Sequence, residues 1–244
     1  MHDLETINKE ISKAFKFINE DNFKEAEQTI EDLLKNEEIK ENLKINHFQN
    51  IADIHLILGK FESARNIYIK ANNLAGIAFS FILLKEIQKA KEVLVNTPDS
   101  PAKFWCEFLA ELFGEKNNVQ KYPSFFEIRH FLELTVYLLL RSKNHHYINL
   151  IIKNLNKLLE INLDSEKFIG YAYFHFGDLE NAVSLLNNAI KKNQYDGEIY
   201  FVLGKLYLQK GSVHDALAML GNAQLFLPDH APTKELLERA KSML

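Results

Sequence analysis

Tyr200-Phe201-Val202-Leu203-Gly204-Lys205-Leu206-Tyr207 lies near the end of the chain, and it decides the fold because its landmarks have copies 34 residues earlier. Gly204 and Gly211 answer to Gly170 and Gly177. The same shift carries Tyr173 onto Tyr207, Ala182 onto Ala216, Leu186 onto Leu220 and Ala189 onto Ala223. A fixed period of this length marks a stacked array of small units. Tyr200, Leu203 and Tyr207, three and four residues apart, make one apolar helical face; Ala216, Leu217, Leu220 and Ala223 make a second. Gly204 and Ala216 are small where the two helices must cross closely. Gly177 and Gly211 stand where the first helix of each pair ends, a place that favours a left-handed residue. Pro228 follows the second helix, where it breaks nothing.

The later copy, Tyr200-x-x-Leu203-Gly204-x-x-Tyr207 followed by Ala216-x-x-x-Leu220, Ala223 and Pro228, resembles the tetratricopeptide repeat nearly residue for residue. The earlier copy departs from it at two places, with Glu166 where a large aromatic is usual and Gln194 where the closing proline is usual. The resemblance implies an all-α fold, a right-handed α-solenoid of antiparallel helix pairs wound into a tetratricopeptide-like superhelix. Thr233 to Leu244 reads as a C-terminal capping helix with a polar outer face.

Upstream the template decays. Ala52, His55, Gly59, Phe61, Ala64, Tyr68 and Ala71 form one copy, and Ala14, Phe17, Asp21, Phe23, Ala26, Ile30 and Leu33 another, with Asp21 in place of the turn glycine. That register runs helix 1 from about Leu4 to Glu20, while 36–43 absorb extra positions. Ala78, Phe81, Lys85, Ile87, Ala90 and Leu94 form a further copy, but Ala64 to Ala90 is only 26 residues, so a helix or turn there is shortened. Between Asp99 and Ser142 the register is lost. Pro101 to Gly114 and Pro123 to Arg141 read as helices with a proline in the first turn of each, separated by a polar loop with Lys116-Asn117-Asn118. Tyr147 to Ile161 reads as one further helix. The expected organisation is 1–98 as N-terminal repeats, 99–162 as degenerate helical repeats and 163–244 as two regular repeats plus the cap, in one continuous solenoid.

Composition restricts function. With 25% charged and 47% hydrophobic residues, 5 Pro and 9 Gly, the chain is globular rather than disordered. A net charge of −4 without a basic stripe speaks against nucleic acid as partner. Cys106 alone forms no internal disulfide, the N-terminus shows no signal-peptide pattern, and Leu134 to Leu140 is too short to span a bilayer. A cytoplasmic protein without membrane insertion is expected.

Chemistry-bearing patterns are few. Glu127-x-x-His130 has the spacing by which one helix offers two metal ligands, but it occurs once, without the further inward glutamates a metal centre needs. His145-His146 falls at an interhelical turn, where polar residues are expected anyway. Cys106, between Trp105 and Glu107, has no base beside it and reads as a small buried hydrophobe. There is no Gly-rich phosphate loop, no Gly-x-Ser-x-Gly and no His-Glu-x-x-His. No catalytic residue, metal site or cofactor is expected.

The candidate binding surface is the face of each first helix left over after packing. It carries Lys167, Tyr171 and His175, then Phe201, Lys205 and Gln209, each four residues apart, and Gln49 and Asp53 in the second repeat. Tetratricopeptide proteins, which this chain resembles, commonly hold an extended peptide or helix on that concave face. The expected role is therefore a protein–protein interaction scaffold or adaptor that takes a peptide or helix of another protein. The alternatives are an RNA-binding helical repeat and a metal-dependent enzyme with its site in the irregular middle around Trp105, Glu127 and His130.

Overall fold

The computed structural model describes residues 2–114, 119 and 121–244; the Lys116-Asn117-Asn118 loop lies outside them. The described residues form helices joined by short turns, in two compact units, Met1–Ser124 and Phe125–Leu244. The first unit contains α1 (His2–Asn19), α2 (Phe23–Lys35), α3 (Glu37–Glu41), α4 (Ile45–Ile57), α5 (Phe61–Lys70), α6 (Leu74–Leu83), α7 (Ile87–Val95) and α8 (Pro101–Phe113). The second contains α9 (Phe125–Arg141), α10 (His145–Lys153), α11 (Leu155–Ile161), α12 (Ser165–Phe176), α13 (Leu179–Lys192), α14 (Gly197–Gln209), α15 (Val213–Phe226) and α16 (Ala231–Lys241).

The pairing follows the sequence register. In the first unit α1 packs on α2, α4 on α5 and α6 on α7, with α8 laid against α6 and α7. Ile7, Ile11, Ala14, Ala26, Ile30, Leu33, Ile51 and Ile54 close the core where the first two pairs meet. In the second unit α12 packs on α13 and α14 on α15, α9 lies against α12, and α16 lies against α15 and α14.

Each pair turns the chain in the same way. Asp21, Gly59, Lys85, Lys143, Gly177 and Gly211 all have a left-handed backbone, with φ between 54° and 90°, and in each case a helix begins two residues later. The residue after each donates its N–H to a carbonyl five residues back: Asn22 to Phe17, Lys60 to His55, Glu86 to Phe81, Asn144 to Leu139, Asp178 to Tyr173 and Ser212 to Tyr207, at 2.8–3.0 Å. This is the Schellman closure, which satisfies carbonyls that a helix end otherwise leaves orphaned. Glycine accepts that backbone freely. Lysine costs about 1 kcal/mol there.

The same turn explains the short repeat. Asn72, between α5 and α6, is also left-handed, and Asn73 N–H reaches Tyr68 O at 3.0 Å. Residues 59, 72 and 85 are therefore 13 apart, with ten-residue helices between tight turns at both ends.

Three readings of the middle are corrected. The stretch Tyr147 to Ile161 is two helices rather than one, because the chain breaks at Asn154, whose side chain donates to Leu150 O at 2.8 Å. Pro123 lies ahead of α9, which starts at Phe125, whereas Pro101 does occupy the first turn of α8, with Ser100 accepting from Lys103 N–H. The 34-residue register is not lost before Ser142: Lys143, Gly177 and Gly211 are successive turns 34 apart, so α9 and α10 form the pair before α12 and α13. Its small residues are gone, with Val136 in the place of Gly170 and Ile148 in that of Ala182. Bulkier groups stand at this crossing, and α9 is packed more fully on α12 than on α10. Among the described residues no helix is long and apolar enough to cross a membrane.

Candidate functional site

The structure ties Gln49 and Asp53 into a polar network across α4, α5 and α6. Gln49 Nε2 donates to both Asp53 carboxylate oxygens at 3.0 and 3.2 Å, and Tyr68 hydroxyl donates to Asp53 Oδ1 at 2.5 Å. Asn73 Nδ2 donates to Gln49 Oε1 at 2.7 Å, while its own Oδ1 caps α6 by accepting from Gly76 N–H. Burial pushes the Asp53 carboxyl above the usual carboxylate range, against the opposing hydrogen bonds from Tyr68 and Gln49. The Tyr68 phenol is pushed up as well, by burial first and then by Asp53. Most of the hydrogen-bonding capacity of Gln49 and Asp53 is spent inside the unit.

Lys167 and Tyr171 are also drawn inward, on α12 between α9 and α14. Both are buried, at 6% and 4% exposure. Lys167 Nζ is held by Asp196 Oδ2 at 2.7 Å and Glu198 Oε2 at 2.8 Å. Burial works against the ammonium, but hydrogen bonds to the two carboxylates outweigh it and keep the pKa above the ordinary lysine value. From α9, Arg129 extends the network, with Nε 3.0 Å from Glu133 and a guanidinium nitrogen 3.6 Å from Glu198. Its guanidinium lies over the rings of Phe168 and Tyr171, at 5.6 and 5.5 Å. The Tyr171 hydroxyl is buried without a hydrogen-bond partner among the described residues.

The rest of the candidate face is open. Lys205 Nζ stands 5.1 Å from the Phe174 ring centre and 5.7 Å from that of Phe201, and it pairs with no carboxylate among the described residues. Phe201, half-buried, meets the His230 ring edge-on at 4.7 Å. His175 and Gln209 are exposed on the last turns of α12 and α14. Phe201 and Lys205 thus form a cluster with Phe174 and His230, two residues that the spacing argument did not select.

The corrected register supplies what was missed. Carried back once more by 34, the positions Lys167, Tyr171 and His175 become Glu133, Tyr137 and Arg141 on α9. Arg141 lies over the Tyr137 ring at 5.8 Å and donates to its hydroxyl at 3.3 Å. Asp196 and Glu198 had only a local signal, as polar residues at the start of α14, where Asp196 Oδ1 accepts from the Glu198 and Ile199 N–H groups.

Cys106 is buried with Sγ 3.7 Å from Ala75 O, and burial, then Glu107, pushes its thiol far up, which disfavours the reactive thiolate. Glu127 is half-buried and His130 exposed on α9; His145 and His146 are exposed at the start of α10. Among the described residues no three His, Cys, Asp or Glu side chains gather as a metal site would require. Glu166, the departure from the aromatic of the template, is buried and receives Lys192 Nζ at 2.6 Å, so an ion pair between α12 and α13 replaces ring packing.

Residues 48–77 and residues 173–240 each match a model of the tetratricopeptide repeat. No curated protein matches the sequence. Among solved structures the chain is similar to the APC/C hetero-tetramer Cut9–Hcn1, at 15% identity and a TM-score of 0.39, over 95% of this chain and 42% of that one. It is similar to a tetratricopeptide repeat protein from Parabacteroides merdae, at 16% identity and 0.38, over 97% of this chain and 99% of that one. YrrB, described as a TPR protein with an unusual peptide-binding site, shares 18% identity at 0.36, over 87% of this chain and 97% of that one. The chain spans less than half the length of the first of these. Repeats of this kind are in general protein–protein interaction modules. With two matched stretches and a common turn closing six helix pairs among the described residues, the chain carries tetratricopeptide repeats at residues 48–77 and 173–240.

Proposed function

We propose that the chain is a protein-interaction scaffold and that the first-helix face of the second unit, on α9, α12 and α14, receives an extended or helical segment of a partner. The observation that carries this is the state of Lys205. Of the cations on that face, Arg129 and Lys167 are neutralised by Glu133, Asp196 and Glu198, and Arg141 lies on the Tyr137 ring and hydroxyl. Lys205 is only half-buried, flanked by two aromatic rings, and its charge is left for something outside the chain. A partner carboxylate or backbone carbonyl on Lys205, with apolar groups against Phe174 and Phe201, would use the whole cluster. Gln49, Asp53, Lys167 and Tyr171 then act mainly by holding the helices in place, while His175, Phe201, Lys205 and Gln209 make contact.

The test is affinity capture with quantitative mass spectrometry, comparing the wild type with Lys205→Glu and Phe201→Ser. A protein retained by the wild type and by Lys210→Glu, yet lost from both face variants at unchanged melting temperature, supports the reading. Retention by all four proteins removes this face from the function.

A further inference from the structure

Helices α1, α2 and α3 carry a charge imbalance that the rest of the chain does not share. Residues 1–41 hold 12 Asp and Glu against 6 Lys, a net −6, although the whole chain is only −4. Between these helices runs an open groove of about 430 Å³. Its floor is apolar, with Leu33 buried beneath half-buried Phe17 and Ile39. Its rim bears the carboxylates of Glu10, Glu25 and Asp32, with Lys13 the one cation lining it among the described residues.

That rim is incompletely neutralised. Lys13 reaches Glu10 at 3.5 Å and hangs over the Phe17 ring at 5.8 Å, and Lys35 reaches Asp32 at 3.4 Å. Both pairs join neighbours on one helix, with lysine side chains half or more exposed, so each contributes only a fraction of a kcal/mol and yields easily to another cation. Glu25 has no cation within 4 Å among the described residues; only its backbone carbonyl is engaged, by the Thr29 hydroxyl at 2.7 Å. An apolar floor under a carboxylate rim repels phosphate and other anions, and it fits a chain that alternates large apolar with basic side chains.

We infer that this groove docks a short basic amphipathic segment of another protein, with an apolar side chain on Phe17, Leu33 and Ile39 and Lys or Arg side chains against Glu25 and Asp32. The site is built wholly within the first unit and shares no residue with the face around Lys205, so either can hold without the other.

The experiment is fluorescence anisotropy on the full chain with two fluorescein-labelled amphipathic probe peptides, one of alternating leucine and lysine blocks and a twin with glutamate for lysine. The lysine probe is expected to bind and the twin not. Glu25→Lys combined with Asp32→Lys should weaken the lysine probe about tenfold or more, whereas Glu62→Lys with Glu92→Lys, on exposed carboxylates of α5 and α7, should change it less than about twofold. Glu25→Gln with Asp32→Asn gives the same reading without charge reversal, should the double lysine variant fail to fold. Equal weakening by the control pair means unspecific attraction to a negative chain and overturns the inference, as does tight binding of the glutamate twin.

Discussion

Leu220 occupies the space that a side chain on Gly204 would need: a Cβ built on Gly204 would stand 2.6 Å from Leu220 Cγ. One repeat earlier Gly170 bears the same relation to Leu186, at 2.8 Å from Cδ2. The recurring glycine of the first helix and the recurring leucine of the second are thus one contact, made twice. Gly204→Ala should lower stability by about 1–3 kcal/mol through overpacking. Gly221→Ala, in α15 where a Cβ meets open space, should raise it by about 0.5–1 kcal/mol. Urea denaturation of both variants checks the signs.

The two inner-face lysines should part company in stability. Lys167→Ala leaves the Asp196 carboxylate, itself largely buried, without its cation, and should cost about 2–3 kcal/mol. Lys205→Ala removes ring contacts alone and should stay within about 0.5 kcal/mol, whereas Ala216→Leu, at a fully buried crossing, should cost about 1–3 kcal/mol. Thermal melts of the three variants rank them.

At the turns the sign depends on the residue now present. Lys85→Gly and Lys143→Gly should each stabilise by about 1 kcal/mol, since both lysines hold φ near +60°. Gly177→Ala, at φ +90°, should destabilise by a similar amount. A shift of the denaturation midpoint at constant slope is the readout.

Two buried groups give stability opposite pH dependences. The Asp53 carboxyl is raised in the folded state, so its contribution is fully present below its unfolded pKa near 3.9 and is lost as pH rises through the folded value. His55, buried with neither ring nitrogen bonded, is lowered, chiefly by burial and secondly by Lys60; its contribution is present above about pH 6.5 and is lost as pH falls through the folded value. His47 is lowered too, by burial and then Lys44, and acts in the same sense. The two histidines should therefore cost the wild type stability as pH falls below about 6.5. His55→Gln should flatten that slope whatever it does to the absolute value, and Asp53→Asn should flatten the opposing limb, which starts near pH 3.9 and loses stability as pH rises. Denaturation curves across that range decide both.

What could be read from the sequence was what recurs locally. Gly177 and Gly211 end helices because their φ demands it, and Asp21 and Lys85 fell into line through their distance from the next apolar residue. The middle hid its register because Val136 and Ile148 removed the small residues that announce a crossing, while Lys143 gave no hint of a left-handed turn. For the candidate face, four-residue spacing found one side of α12, but what a facing helix does to that side is not periodic. Arg129, Asp196 and Glu198 approach Lys167 and Tyr171 from helices whose starts lie some thirty to forty residues away, and their charges enclose the two residues that spacing alone had left facing solvent.

The common turn also bears on how the chain acquires its structure. Each pair closes through a connection of two or three residues, so its first contacts lie within a few residues of one another and little loop entropy opposes them. Pairs centred on Gly59, Gly177 and Gly211 meet no left-handed penalty, whereas those at Asp21, Lys85 and Lys143 do. Folding should therefore start from the glycine-turned hairpins and spread outward. Pulsed hydrogen exchange during refolding would register this as early protection of amides in α4–α5 and α12 to α15, with α9–α10 gaining protection later.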